Sequence, residues 1–352
     1  LIEKIVKEIQ PIDGEFVKKG RSKTENLIIP YRAMGLLNDI SEQLCGIYKT
    51  CDIEIKRGAV FVMAGDHGVV EEGVSAFPQI VTCEMIKAFL NGEGVISVLA
   101  KKEECKVVVC DIGTKCQFQN ITSSYGDFVS KKVVHGTKNF LKDLAMTREE
   151  AENSVIAGFE LANEYIIKHN LQIVATGDMG IGNTTPSSAI GVVFTGESAD
   201  KMTGRGTVID DATLYKKIKI IETAINIHMP NKNDPIDVLS KVGGAEIGGI
   251  AGVILAAAKN RIPVIIDGLI STAGALIAYN LNKNVSDYIF AGHISQEPGH
   301  KKMLEYLGKG AILDLNLRLG EGSGAVLAMS IVKQAANMFC NVSTFDKAKV
   351  SR

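Results

Sequence analysis

The chain has 352 residues, 46% of them hydrophobic and 22% charged, with a formal net charge of −1. That balance suits a globular chain of one large domain or two unequal ones, long enough to bury a sizeable core. A net charge this close to zero gives no electrostatic case for nucleic acid or an anionic membrane as partner.

Trp is absent, aromatic residues make up 6%, and there are 35 glycines. Glycine-rich, aromatic-poor chains of this length are commonly α/β proteins with many tight strand–helix loops. Leu1–Gln10 is charged and amphipathic, which predicts a helix and not a signal peptide. Met34–Lys49 follows at the same 3.6 period. Gly58–Gly65 is a continuous apolar run of strand length ending at Asp66-His67-Gly68, and Gly73–Pro78 reads as a surface loop beside that strand end. The Asp66-His67 pair suits acid/base work, although a lone His after a strand is more often a hydrogen-bonded turn residue.

Further apolar runs recur at Cys105–Cys110, Leu171–Ala175, Ile262–Ile266 and Tyr288–Ala291, each ending in a polar or glycine-rich turn. Helical patterns lie between or after them at Thr147–His169, Asp210–His228, Ala245–Lys259, Thr272–Leu281 and Pro298–Leu307. Strands apolar on both faces, alternating with helices, predict a parallel sheet covered on both sides. Such sheets place function at the carboxyl ends of their strands. The expected crevice therefore gathers Asp66/His67, Gly177–Thr185, Asp267/Gly268, Gly292/His293 and Gly320–Gly324. Glu246 and Asp267 interrupt the longest apolar stretches, which argues against a transmembrane helix.

The loop Thr176-Gly177-Asp178-Met179-Gly180-Ile181-Gly182-Asn183-Thr184-Thr185 leads from a strand towards a helix. Its glycines suit close approach to an anion. It matches neither a Walker A loop nor the dinucleotide fingerprint, because its order is G-x-x-G-x-G. The plain alternative is a capped turn with Asn183 or Thr184 as N-cap. Gly204-Arg205-Gly206-Thr207 precedes Asp210-Asp211, for which helix capping is favoured over a magnesium site. Lys216, Lys217 and Lys219 read mostly as a solvated face, with phosphate contact by one of them left open. No metal-ligand spacing appears among the six histidines, and no G-x-S-x-G elbow is present. The seven cysteines are odd in number and lack C-x-x-C, so all of them read as reduced thiols in a cytoplasmic protein.

Glu321 stands alone between Gly320 and Gly322, at the entrance of an apolar helical run that begins at Ala325. A carboxylate held there is a natural general base. Its competing role is to cap the helix, where the dipole would lower its pKa; burial would raise it.

These segments together resemble the nicotinate-nucleotide:dimethylbenzimidazole phosphoribosyltransferases. The resemblance runs in order through Asp66–Gly68 with Gly73–Ala76, Gly177–Thr185, Gly204–Thr207 with Asp210-Asp211, Val242–Ile247, Asp267–Ser271, His293–Gly299 and Leu317–Ala325. It implies transfer of the ribosyl phosphate of nicotinate mononucleotide to a lower-ligand base such as dimethylbenzimidazole. The products would be nicotinate and α-ribazole phosphate, formed with inversion at the anomeric carbon in cobamide synthesis. It also implies a Rossmann-like parallel sheet with helices on both faces (55–315) and a small helical domain from both chain ends (1–54 with 316–352). A homodimer without cofactor or metal completes the expectation.

By the same resemblance the catalytic base is Glu321 and the second acidic residue is Asp178. Gly180, Ile181, Gly182, Gly206, Lys217 and Ser295 are expected to hold the nucleotide, and Ser75, Cys83 and Leu319 to wall the acceptor base. Asp178 stands where the family usually has Glu, Cys83 where it has Gln, Ile28–Gly35 where it has Lys-Pro-Pro-Gly-Ser-Leu-Gly, and Val208 where Gly follows. These departures support an alternative: the same donor with phenol or p-cresol as acceptor, by this chain alone or as one subunit of a heterodimer with a paralogous chain.

Overall fold

A computed structural model describes residues 1–118, 121–206 and 209–351, so Thr207 and Val208 lie outside the described residues. The first half contains α1 (Ile2–Glu8), α2 (Gly14–Thr24), α3 (Leu36–Tyr48), β1 (Gly58–Gly65), α4 (Val81–Leu90), α5 (Val95–Lys102), β2 (Cys105–Gly113), β3 (Asp127–Ser130) and α6 (Arg148–His169). β4 (Ile173–Met179), α7 (Thr184–Thr195), α8 (Ala199–Met202), α9 (Asp211–His228), α10 (Pro235–Val242) and α11 (Ala245–Lys259) follow. The chain ends with β5 (Val264–Ile266), α12 (Leu269–Leu281), β6 (Ile289–His293), α13 (Pro298–Leu307), β7 (Ala311–Leu313), α14 (Ser323–Asn341) and α15 (Phe345–Ala348).

The seven strands form one sheet in the order β3-β2-β1-β4-β5-β6-β7, and every pairing is parallel. This is the doubly wound order, with its reversal between β1 and β4, and a crevice opens at the carboxyl ends beside such a reversal. β1 is buried at every position because helices cover both sheet faces. β3 and β7 are the two edge strands, short and only partly buried. They carry no long apolar run, and periodicity missed them for that reason.

Capping explains several helix starts. The side chain of Thr147 accepts from Glu150 N–H at 3.1 Å while Glu150 accepts from Thr147 N–H at 2.7 Å, a capping box that fixes the start of α6. Asp210 caps α9 by accepting from Thr213 N–H at 2.8 Å, as the sequence favours. α11 is buried almost all round, packed between α6 and the sheet, which accounts for its uniformly apolar sequence. The chain ends meet: Leu27 pairs with Thr344, and Ser41 Oγ donates to Ala335 O at 2.9 Å. No described helix is long and apolar enough to cross a membrane.

One expectation fails here. Five cysteines are free, but Cys83 and Cys116 form a disulfide. The partners stand 33 residues apart, one on α4 and one beyond β2, so the pairing arises from tertiary structure and leaves no spacing signal.

Candidate functional site

A cavity of about 480 Å³ opens at the carboxyl ends of the central strands, within the usual size of small-molecule sites. Its walls come from the loop after β1 (Val74, Ser75, Phe77), the first turns of α4 (Val81, Met85), the loop after β4, the turn after β5 (Gly268), the segment after β6 and the approach to α14. The loop Gly73–Pro78 thus forms a pocket wall. Asp66 and His67 do not: both are buried behind the pocket. Asp66 Oδ2 accepts from Lys115 N–H at 2.8 Å, and His67 Nε2 lies 2.9 Å from Glu246 Oε1. Both stand in the turn after β1, outside the lining of the cavity.

Glu321 lines the cavity and is only 5% exposed. Its backbone is left-handed (φ 64°) between Gly320 (φ 87°) and Gly322 (φ 90°), a conformation that costs a non-glycine residue about 1 kcal/mol. A Cβ on Gly177 would stand 2.4 Å from Glu321 O, so the strand beneath must be glycine for this turn to sit down. Glu321 does not cap its own helix. That function falls to Asp267 at the end of β5, which accepts from Gly322 N–H at 3.1 Å and Ala325 N–H at 3.0 Å. Glu321 Oε2 instead faces Ile96 N–H, in the first turn of α5, at 3.4 Å. Burial raises its pKa to about 7, opposed by the Ile96 N–H and reinforced by the charge of Asp267.

Asp178 is the second carboxylate of the cavity. Its Oδ2 accepts from Asn183 Nδ2 at 2.9 Å, and its Oδ1 is buried without a partner among the described residues. Burial holds it well above the usual carboxylate range, and the charge of Asp267 pushes the same way. Asn183 occupies the N-cap position of α7 but makes no side-chain cap bond; its Nδ2 donates to Asp178. The capped-turn reading of this loop is right about the position and wrong about the side chain.

Gly180, Ile181, Gly182, Gly206, Ser295, Ser75 and Leu319 all line the cavity. Gly182 has φ +91°, and a Cβ on Gly180 would lie 2.2 Å from Gly65 O. Ile181 N–H donates to Thr82 Oγ1 of α4 at 3.2 Å. Lys217 is not on the lining but directly behind it. It is fully buried, with Nζ donating to Thr184 Oγ1 at 2.7 Å and to Gly204 O at 3.3 Å. Burial lowers its pKa to about 8, with Glu297 pulling it back up. The solvated-face reading of this lysine is therefore incorrect: α9 turns Lys217 inward, unlike Lys219, which pairs with Glu222 at the surface.

Cys83 does not line the cavity, since its Sγ is bonded to Cys116. Its neighbours on α4, Val81 and Met85, take the wall position. Sequence reasoning gave no site role to Glu297. Its Oε1 accepts from Gly206 N–H at 3.0 Å, and its Oε2 is buried without a partner among the described residues. Ser295 N–H donates to His300 Nδ1 at 2.9 Å, and His300 Nε2 meets Thr272 Oγ1 at 2.9 Å. Burial brings His300 down to about 3, so it is a neutral support for the Ser295 turn.

The family model for a phosphoribosyltransferase (DBI_PRT) matches residues 9–350. A curated relative from Citrifermentans bemidjiense is 45% identical over 100% of this chain and 99% of its own length; one from Desulforudis audaxviator is 46% identical over 100% and 98%. Both are named nicotinate-nucleotide--dimethylbenzimidazole phosphoribosyltransferase. The fold is similar to the crystal structure of CobT from Thermus thermophilus, with a TM-score of 0.91 and 39% identity, covering 96% of this chain and 99% of that one.

Proposed function

The chain belongs to the DBI_PRT phosphoribosyltransferase family, and on that footing we propose that it moves the ribosyl phosphate of nicotinate mononucleotide onto dimethylbenzimidazole. The products are α-ribazole phosphate and nicotinate, a step of cobalamin biosynthesis. The observation that carries this reading is Glu321, buried in the same cavity as an apolar slot and raised to about 7.

The pyridinium of nicotinate mononucleotide is already a cationic leaving group, so its departure needs no general acid. One acceptor nitrogen attacks the anomeric carbon from the face opposite the pyridinium, which inverts that centre. The other loses its proton to Glu321, whose pKa near neutrality suits a general base. A flat acceptor ring fits between Val74, Phe77, Val81, Met85 and Leu319, with Ser75 at the edge. The phosphate falls to the glycine loop at Gly180–Gly182, to Gly206 and to Lys217, and the ribose to Ser295. Glu297 shares the ribose, and its bond to Gly206 N–H gives way as the phosphate arrives. Asp178 faces the developing positive charge at the anomeric carbon.

Phenolic acceptors are not favoured. The relatives' names specify dimethylbenzimidazole, and Cys83, one motive for the phenolic reading, is turned to Cys116. A homodimer in the cytoplasm, with the two chain ends (1–54 and 316–352) forming a small helical domain beside 55–315, completes the proposal. The test is incubation of the purified chain with nicotinate mononucleotide and dimethylbenzimidazole or phenol, read by mass spectrometry. Ribotide with dimethylbenzimidazole and release of nicotinate is expected. Product with phenol alone, or with neither acceptor, overturns the assignment.

A further inference from the structure

We propose that the Cys83–Cys116 disulfide is a redox-sensitive positioning clasp, which holds α4 as the acceptor wall and tethers the glycine loop through Thr82. Three consecutive stretches of α4 face three different ways. Val81 and Met85 line the cavity one turn apart. Thr82 is fully buried and receives Ile181 N–H at 3.2 Å. Cys83 points away to Cys116. A single helix turn therefore joins the acceptor slot, the nucleotide loop and the bridge.

The two ends of the bridge differ in how firmly they are held. Around Cys116, Thr114 N–H donates to Asp111 Oδ1 at 2.9 Å and Lys115 N–H to Asp66 Oδ2 at 2.8 Å. Cys116 N–H donates to Thr114 Oγ1 at 3.2 Å, and Cys116 O accepts from Lys132 Nζ at 2.6 Å. This segment is pinned to the ends of β1 and β2. The start of α4 is more exposed, while Thr82 and the later residues Ile86, Phe89 and Leu90 are buried in the core. Its N-cap, Ile80, makes no side-chain cap bond, and the residues around it, Phe77 and Ile80, are exposed. Apart from the bridge, the side-chain tethers described for this turn are Thr82 and the bond from Gln79 Nε2 to His67 O at 3.0 Å. The disulfide thus joins the more exposed start of this pocket wall to a pinned sheet end. Cys83 is half-buried and Cys116 is buried.

Reduction balances simply. One thiolate of dithiothreitol attacks a bridge sulfur, its second thiol resolves the mixed disulfide, and two electrons and two protons end on Cys83 and Cys116 while the reagent closes to its cyclic disulfide. α4 then keeps its helix and its buried Ile86, Phe89 and Leu90, and loses the covalent tie at its first turn.

The kinetic part of this inference rests on the phosphoribosyl-transfer reading, so the first readout needs no substrate. Alkylation of the purified, unreduced chain is expected to leave Cys83 and Cys116 unmodified. Amide exchange at Ile181 and across Val81–Met85 is expected to speed up on reduction, while β1 and β4 stay protected. Double alkylation of the unreduced chain, or unchanged exchange at Ile181 and Val81–Met85, overturns the clasp whatever the activity.

The second readout is steady-state kinetics. Reduction should raise KM for dimethylbenzimidazole about three- to tenfold with a smaller change in kcat, the pattern of a displaced binding wall. The double variant C83S/C116S should show the raised KM without reductant and no further response to it. A variant that still responds would trace the effect to Cys45, Cys51 or Cys340 and contradict the proposal. If exchange responds as expected but no product forms in either redox state, the clasp stands and the assigned reaction fails.

Discussion

Two acidic residues stand at helix starts and do opposite things. Asp210 precedes α9, accepts from Thr213 N–H at 2.8 Å, and its pKa is lowered by those bonds. Glu321 precedes α14, leaves the capping of its helix to Asp267, and its pKa is raised to about 7. Both residues have the same simple reading in sequence, a carboxylate favoured by the helix dipole. The difference is made by what surrounds them. Asp210 lies in water, where a hydrogen bond to the ionised form decides the outcome. Glu321 is buried, and desolvation outweighs its long bond to Ile96 N–H. A helix start becomes a candidate base when another residue takes over the cap and the carboxylate is left to a dry cavity.

The largest effect expected from breaking this contrast is on Glu321 itself. Glu321→Gln should lower kcat about 10²- to 10⁴-fold, the usual worth of a general base, with the fold intact by circular dichroism. Stability should move the other way. Glu321 takes up a proton more readily in the folded chain than at its ordinary value of 4.5, so folding stability through this group falls as pH rises from about 4.5 to about 7. The melting temperature of Glu321→Gln at pH 8 should equal or exceed that of the wild type.

Lys217 extends the comparison to a buried cation. Lys217→Met should raise KM for nicotinate mononucleotide roughly 10- to 100-fold while KM for dimethylbenzimidazole changes little, since the ammonium is assigned to the phosphate alone. An equal rise in both constants would show that the substitution deforms the whole pocket.

The pH dependence of kcat/KM should then be narrow. After correction for the titration of each substrate, activity should rise through about 7 as Glu321 ionises and fall through about 8 as Lys217 loses its proton. Lys217→Met should lose the alkaline limb and keep the acid one.

The smallest effect belongs to Asp210. Asp210→Ala should lower the melting temperature by roughly 1–3 °C and leave kcat within twofold. A large loss of activity would mean that the start of α9 does more than position its helix.

The central strands and longer helices were legible because apolar runs and 3.6-residue periods are local signals. Gly58–Gly65, Ala245–Lys259 and Pro298–Leu307 appear with the bounds that the sequence suggests. The edge strands β3 and β7 were not, because partly buried strands of three or four residues leave no run to detect. Within the site, the glycine turns marked the crevice correctly, since glycine turns left-handed and passes close to neighbouring backbone at the least cost. Partnership was harder to see. Nothing local says that Asp267 caps α14, that Asn183 turns back onto Asp178, or that Cys83 reaches Cys116. The first and last join residues that only the tertiary fold brings together, and the second depends on how the loop from Asp178 to Asn183 turns. The inward turn of Lys217 was hidden in the same way, among lysines that pattern alone assigns to solvent.

The most direct test of the account is the ionisation of Glu321 in the intact chain, followed by the ¹³C carboxyl resonance that vanishes in Glu321→Gln. A midpoint near 7 is predicted, set by the dry cavity around it. A midpoint at or below the ordinary carboxylate range of about 4.3 would mean that the α5 N-terminus outweighs burial, and that Glu321 is a structural anion and not the base.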